Sequence, residues 1–371
     1  MSTYAPKLCG LATFAAALAK ELTRAGNAVA VVRINDGDGA PPTDPIVVAD
    51  LINGSASSVA ATASVMSEYD LAIVQHEYGI FGGTDGDEIL DLLKLLETPA
   101  VVVLHTVLTN PTSHQRAVLE AIGALSDRVV VMSDTALRRL RDLYTFDMTK
   151  VEMIPHGAWS IDSPCRIDTP ARTRPELLTW GLLGPGKGIE HVVDALGLIG
   201  SDHYRPRYTV AGVTHPKVFA RVGDAYRDSL IQRVGDLGLG HIVSFDDTYR
   251  GVGQLLSIVA QSTAVVLPYD SREQVTSGVL VDAVAAGKPV IATAFPHAVE
   301  LLGSGAGIVV PHGDPVALAA AIRSTFDDPV QLAAMTREAA RIAPSLSWAT
   351  VARQYARLGD DLVRSRDTLA V

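Results

Sequence analysis

The 371-residue sequence predicts an α/β protein built as two doubly wound domains, each a parallel sheet covered by helices. Strand-like apolar runs alternate with helical periods along nearly the whole chain. A break between Gly157 and Pro175, carrying Pro164, Pro170 and Pro175, divides the alternation into two series. Hydrophobic residues make up 48% of the chain but aromatics only 5%, and the Ala/Val/Leu/Ile bias suits strands buried on both faces. The length fits two domains of about 150–200 residues each.

In the first series, Thr13–Arg24 reads as a helix with Phe14, Leu18 and Leu22 on one face. Ala28–Ile34, Leu71–Gln75, Ala100–Leu104 and Arg128–Met132 read as buried strands, and Val151–Ile154 as a short closing strand. The second series begins with strand Leu177–Leu183, helix Ile189–Leu198, strand Tyr208–Ala211 and helix Pro216–Leu237. Strand Ile242–Phe245, helix Gln254–Gln261, strand Ala264–Pro268, helix Val279–Ala286 and strand Val290–Thr293 follow. Helices near Pro315–Phe326, Pro329–Ile342 and Ser347–Ser365 complete the chain. No short-period repeat is present, which excludes a solenoid.

The net charge of −10 argues against nucleic acid as the main partner. Residues 1–160 hold 11 Lys+Arg against 19 Asp+Glu, so this half has no general attraction for anionic lipid. Arg138, Arg139 and Arg141 are the local exception. They read as a solvated helix face, with peripheral lipid or phosphate contact as the alternative. Cys9 and Cys165, the two cysteines, make neither a disulfide framework nor a zinc site, and a reducing, cytoplasmic setting fits them. No apolar run is long enough to span a membrane, and Pro6 and Lys7 interrupt any signal-peptide pattern.

In doubly wound sheets ligands bind beyond the carboxyl ends of the strands, so the loops after strands carry the candidate chemistry. Gly184-Pro185-Gly186-Lys187-Gly188 follows a strand and opens a helix. Its glycines let backbone amides approach an anion, the helix start supplies positive potential, and Lys187 adds a full charge. Ile189 stands where a Walker A loop needs Ser or Thr. The alternative is a tight turn with Lys187 in water.

The loop from Tyr269 to Gly278 gathers Asp270, Arg272, Glu273, Gln274, Thr276 and Ser277 ahead of the next helix, with Asp282 one turn inside it. These groups suit phosphate and sugar hydroxyls; the alternative is an N-capped helix with Asp282 exposed. In the first half, His76-Glu77-Tyr78-Gly79 and His105-Thr106 end adjacent strands, and their spacing matches no compact metal motif. Gly82, Gly83 and Asp85 follow in a loop expected to be mobile, and Cys9-Gly10 offers another close approach before the first helix.

The chain resembles glycosyltransferase family 4, the retaining GT-B enzymes of group 1. The resemblance rests on Gly10-Leu11-Ala12-Thr13-Phe14, His105, Ser126 through Ser133, and Ile154-Pro155-His156-Gly157. It continues with Gly181 through Gly188, Ser277 through Thr293, and Ser347-Trp348. It implies two Rossmann-like domains facing a central cleft. Residues 1–160 would bind the acceptor, 161–175 would be the linker, and 176–345 would bind the nucleotide sugar. The helix at 347–365, with its stripe of Trp348, Val351, Ala352, Tyr355 and Leu358, would return to the first domain.

The resemblance implies that Lys187, Gly184 and Gly186 hold the donor diphosphate, with Gly10 beneath it. His105 would touch the donor sugar. Glu273, Gln274, Thr276, Ser277, Gly278 and Asp282 would take sugar and ribose hydroxyls. Met132-Ser133 would line the cleft. The expected catalytic residues are Lys187, His105 and Glu77, with His76, Tyr78 and Gly79 on the acceptor side. The amides of Gly184–Gly188 and Thr276–Gly278 would stabilise the leaving diphosphate without metal or cofactor. Two departures stand out: Leu182 occupies a slot where the family commonly has Arg, and Gln274 and Asp282 stand where it has two glutamates.

The expected function is transfer of a hexosyl group, mannosyl or glucosyl, from a nucleotide sugar to a hydroxyl acceptor, either a glycan or a small molecule. The alternatives are a phosphorylase or epimerase of similar fold, or a sugar-nucleotide-binding subunit of a glycan-assembly complex. A doubly wound domain begins on a central strand, and only Met1 stands before Ser2-Thr3-Tyr4-Ala5-Pro6. The expectation is therefore a natural start some way upstream, with a Val/Ile-rich strand.

Overall fold

A computed structural model describes residues 1–35, 41–42, 44–159, 174–200 and 205–369. Most of the proline-rich break lies outside the described residues, as does Cys165. The chain divides into two compact units, Met1–Gly157 joined by the segment from Trp348 onward, and Ala158–Ser347.

The first unit runs α1 (Gly10–Arg24), β1 (Val31–Asn35), β2 (Val47–Ile52), α2 (Ala56–Ser67), β3 (Ala72–His76) and α3 (Glu88–Leu95). It continues β4 (Ala100–Leu104), α4 (Ser113–Leu125), β5 (Arg128–Val131), α5 (Asp134–Leu143) and β6 (Val151–Met153). β1 pairs with β2, and β3, β4, β5 and β6 form a second run, all parallel. Met1–Thr3 lies between these two runs. The Ser2 amide donates to Val32 (3.1 Å) and the Ile34 amide to Ser2 (2.8 Å) on one side. On the other, the Gln75 amide donates to Met1 (3.0 Å) and the Met1 amine to Ile73 (2.7 Å). Three residues thus occupy the place expected for the first strand. The order reverses there, so the loops ending at Cys9 and starting at Glu77 flank the crevice of this sheet.

The second unit runs β7 (Glu176–Trp180), α6 (Ile189–Leu198), β8 (Arg207–Ala211), α7 (Pro216–Val222), α8 (Ala225–Asp236), β9 (Val243–Asp246) and α9 (Val252–Gln261). β10 (Ala264–Leu267), α10 (Gly278–Ala285), β11 (Val290–Thr293), α11 (Pro296–Leu302), β12 (Gly307–Val310), α12 (Pro315–Asp327) and α13 (Pro329–Leu346) follow. The six parallel strands lie in the order β12-β11-β10-β7-β8-β9. Alternating side chains feed two cores. Leu177 and Val266 join Val192, Leu196 and Leu318 on one face. Leu178 and Val265 join Leu280, Val284 and Phe295 on the other. Both units are Rossmann-like.

The single helix expected over Pro216–Leu237 is two, α7 and α8. Gly223 sits between them at φ 63°, a conformation that stops a right-handed helix. α14 (Trp348–Leu369) packs against α1 within the first unit. Its apolar stripe of Trp348, Val351, Ala352, Tyr355 and Leu358 is buried. One device appears in both units: Lys150 donates to the carbonyls of Ala124 and Ser126, and Lys288 to those of Ala260 and Ser262. Each lysine satisfies orphan carbonyls at the end of a helix. No helix among the described residues is long and apolar enough to cross a membrane.

Candidate functional site

In the second unit the strand order reverses between β7 and β10, so the loops after these strands flank its crevice. They are the two loops singled out in the sequence. Gly188 stands at φ 63°, and a Cβ there would lie 1.9 Å from the Pro268 carbonyl oxygen, so glycine alone lets the loops approach this closely. The Asp270 amide closes the contact by donating to Gly186 (3.0 Å). Within the turn the Lys187 amide donates to Gly184 (3.2 Å). The amides of Gly186 and Gly188 have no chain acceptor among the described residues.

Lys187 is half-buried, and its ammonium lies 4.7 Å from the centre of the Tyr269 ring. No carboxylate pairs with it among the described residues, and burial holds its pKa below the ordinary lysine value. Tyr269 is buried and stacks on Phe295 with 5.4 Å between ring centroids. A desolvated cation on an aromatic face, beside unpaired amides, is arranged to receive an anion.

The second loop is braced from below. Ser277 caps α10, accepting from the Leu280 amide (3.3 Å). His297 holds the same turn at two points. Its Nδ1 accepts from the Ser277 amide (2.9 Å), and its own amide donates to Gln274 (3.3 Å). Burial lowers the His297 pKa to about 4, so the ring is a neutral acceptor. This corrects the expectation that the Ser277 amide faces a ligand, because His297 already accepts its hydrogen bond. The amides of Gly278 and Val279 are open among the described residues, and the Thr276 hydroxyl is buried without a partner. Glu273 and Gln274 are half-buried in the same loop.

Asp282 is half-buried rather than exposed, and burial raises its pKa to about 7 against a hydrogen bond from the Trp159 amide. Glu190, His191 and Asp270 bring ligand atoms within 4.8 Å of one another, a grouping that sequence spacing did not reveal. Protein partners already engage them: Tyr226 donates to Glu190 (2.6 Å), and His191 meets Asp270 at 3.3 Å.

In the first unit, Glu77 and His105 end adjacent strands. Glu77 accepts from the Tyr78 amide at 3.0 Å and from the Thr106 hydroxyl. Burial raises its pKa, and the two hydrogen bonds oppose the rise. His105 Nε2 meets Gln75 Oε1 at 2.8 Å, so Nε2 carries the proton and Nδ1 the lone pair. Burial, then His156 and His76, lower its pKa to about 3, which leaves a neutral imidazole. Phe14 on α1 is the hub beneath it, edge-on to His105, His156 and Trp348 at 4.9, 5.0 and 4.9 Å.

Gly79 and Gly10 are exposed, Gly10 as the first residue of α1 after the Cys9 cap. Tyr78 donates to the Gln115 carbonyl (3.4 Å). His76 departs from its expected place on the acceptor side. It is 0% exposed within the sheet, neither ring nitrogen has a partner among the described residues, and burial lowers its pKa to about 4. Met132 and Ser133 are likewise buried, Ser133 as the cap of α5. The three arginines of α5 do not form one solvated face. Arg139 turns inward to the Val107 carbonyl (2.7 Å), while Arg138 and Arg141 are exposed.

Sequence reasoning missed Tyr269 as a cation platform, His297 as a brace, and Gln75 as the partner of His105. His297 follows a strand and stands in the first turn of a helix, so the search applied to the other loops reaches it too.

Residues 9–158 match the family described as Glycosyltransferase Family 4, and residues 166–342 match glycosyl transferases group 1. A D-inositol 3-phosphate glycosyltransferase of Kineococcus radiotolerans is 29% identical over 247 residues, 61% of this chain and 55% of that protein. Glycogen synthase of Mycobacterium tuberculosis is 26% identical over 235 residues, 63% of this chain and 54% of its own length. The matches thus span about half the length of these curated relatives. Among solved structures, Anabaena HepE in complex with UDP superposes with a TM-score of 0.77 at 20% identity, covering 97% of this chain and 99% of that one. Sucrose-phosphate synthase from Thermosynechococcus elongatus gives 0.73 at 20% identity, covering 95% and 94%. Two matched families meet across most of the sequence, on a fold shared with GT-B structures, and the chain belongs to the group 1 glycosyltransferases of family 4 type.

Proposed function

We propose that the protein transfers a hexosyl group from a nucleoside diphosphate sugar to a hydroxyl acceptor, with retention at the anomeric carbon. The observation that carries this reading is Lys187, a half-buried ammonium with no carboxylate partner among the described residues, at the switch point of a doubly wound sheet. A leaving diphosphate supplies the missing negative charge. HepE is described in complex with UDP-glucose, which supports a donor of this chemical class.

In this reading Lys187 and the amides of Gly186 and Gly188 take the diphosphate, and the open amides of Gly278 and Val279 assist. They stabilise charge as it develops, without reorganising at the moment of reaction and without a metal. The Thr276 hydroxyl, Glu273 and Gln274 face the sugar, and Asp282 takes a ribose hydroxyl. Neutral His105 and hydrogen-bonded Glu77 position the sugar and acceptor. A phosphate oxygen of the leaving group accepts the acceptor's proton as its oxygen attacks the face the diphosphate leaves. No protein nucleophile is required.

The test incubates the pure protein with a panel of radiolabelled UDP-, GDP- and ADP-sugars, with and without cell extract as acceptor. Transfer or slow hydrolysis of one donor, with the anomeric configuration kept, is the expected result. Saturable nucleotide binding with no turnover of any donor would contradict it.

A further inference from the structure

Beside the lysine loop stands a histidine that the proposed chemistry has not used. The chain after β8 runs alongside the start of the Gly184–Gly188 loop. Leu183 forms a parallel bridge with Thr214, its amide donates to Val213 (2.9 Å), and the His215 amide donates to Leu183 (2.8 Å). Gly184 presses on the first turn of α7, where a Cβ would stand 3.2 Å from Val218. His215 is therefore anchored through its backbone to the residue preceding the glycine loop.

Its ring is oriented as well. His215 Nδ1 accepts from the Lys217 amide (3.1 Å), which places the ring proton on Nε2. With Nδ1 engaged at the helix start, Nε2–H is the end of a half-exposed imidazole that has no partner among the described residues. Burial, then the charges of Lys187 and Lys217, hold its pKa below the ordinary value. The ring thus lies within electrostatic reach of Lys187, and with Nδ1 accepting the Lys217 amide it is the neutral tautomer. A neutral donor adds a hydrogen bond without a second charge for Lys187 to repel.

We propose that His215 is a second diphosphate-binding residue, donating Nε2–H to a phosphate oxygen that Lys187 also holds. This rests on the donor reading above, and its test is chosen so that the two can fail separately. The competing explanation is that His215 only caps α7. His215→Asn distinguishes them, because asparagine is a good N-cap that mimics Nδ1 yet cannot reach as far as Nε2. His215→Ala removes both functions.

The experiment titrates UDP, GDP, ADP and the corresponding monophosphates into wild type, His215→Asn and His215→Ala by calorimetry, with melting curves for each protein. The expected result is near-native melting of His215→Asn with roughly tenfold weaker binding of the preferred diphosphate, the loss typical of a hydrogen bond to a charged group. The preference for diphosphate over monophosphate narrows in both variants. Native diphosphate affinity in His215→Asn, with only the melting of His215→Ala lowered, would leave a cap and overturn the proposal. A wild type that binds none of the three diphosphates would overturn the donor reading and this inference with it.

Discussion

The Lys187 ammonium rests over the face of Tyr269, 4.7 Å from the ring centre, instead of pairing with an acid. A carboxylate partner would neutralise the charge that a diphosphate needs, whereas a ring holds it in place and leaves it available. A cation on an aromatic face is worth about 0.5–2 kcal/mol, depending on desolvation. Tyr269→Phe keeps the ring and is expected to bind donor nearly as wild type. Tyr269→Leu is expected to weaken donor binding roughly 2- to 30-fold, the same energy expressed as affinity. Equal donor KM in both variants would mean that the ring has no part in holding the lysine.

His76 is a polar ring sealed in the sheet without a hydrogen bond among the described residues, edge-on to Tyr78 at 5.2 Å. An unsatisfied buried polar group costs about 1–3 kcal/mol, so His76→Leu is expected to raise the melting temperature. The depressed pKa of about 4 adds a pH dependence. Between about 6.5 and 4 the unfolded chain binds the proton and the folded one does not, so wild-type stability falls as pH drops through this window. His76→Leu should lose part of that fall. A variant less stable than wild type at every pH would show that the ring packs better than its lack of partners suggests.

Gly157 lies against the indole of Trp348, where a Cβ would come within 2.3 Å of the ring. Both residues are buried, and Trp348 in turn contacts Phe14 and His156. Gly157→Ala is expected to lower stability by about 1–3 kcal/mol, the usual cost of overpacking a filled core. Denaturant unfolding measures this. A neutral substitution would mean that α14 shifts freely on the first unit.

Asp282 provides a pH signature in the second unit. Its folded pKa of about 7 lies above the ordinary 3.8, so the folded protein takes up the proton first. Stability from this group is greatest at low pH and declines as pH rises from about 4 through 7. Asp282→Asn keeps an acceptor for the Trp159 amide and is expected to flatten that decline in melting curves. It is also expected to weaken donor binding, because a ribose hydroxyl loses a charged acceptor. A wild-type profile retained in the variant would assign the titration to another group, and an unchanged donor Kd would leave Asp282 a partner of Trp159 alone.

Strands buried on both faces were the most legible part of the fold. Ala100–Leu104 reads correctly at both ends, because five consecutive buried apolar residues admit few alternatives. Val47–Ile52 escaped notice because its exposure is mixed and it follows a proline-rich stretch. The break at Gly223 was hidden because one glycine in a helical pattern is usually tolerated. In the site, the Gly184–Gly188 loop was legible because glycine geometry and a single lysine are local signals. The roles of His297 and Tyr269 were not, although both stand at strand ends, since each acts on a residue brought beside it only by the folded sheet. His76 misled because position at a strand end was read as facing the acceptor, and a strand's last residue can still point into the core.

The central claim is that Lys187 stabilises a departing diphosphate. The most direct test compares kcat/KM of wild type and Lys187→Ala with the donor the panel identifies, alongside their melting curves. Lys187 forms no ion pair among the described residues, so its loss should leave the fold intact while costing about 2–4 kcal/mol in the transition state, roughly 30- to 1000-fold in kcat/KM. A drop of that size with native melting is the predicted result. Unchanged catalytic efficiency in Lys187→Ala would remove the loop from the chemistry and contradict the account.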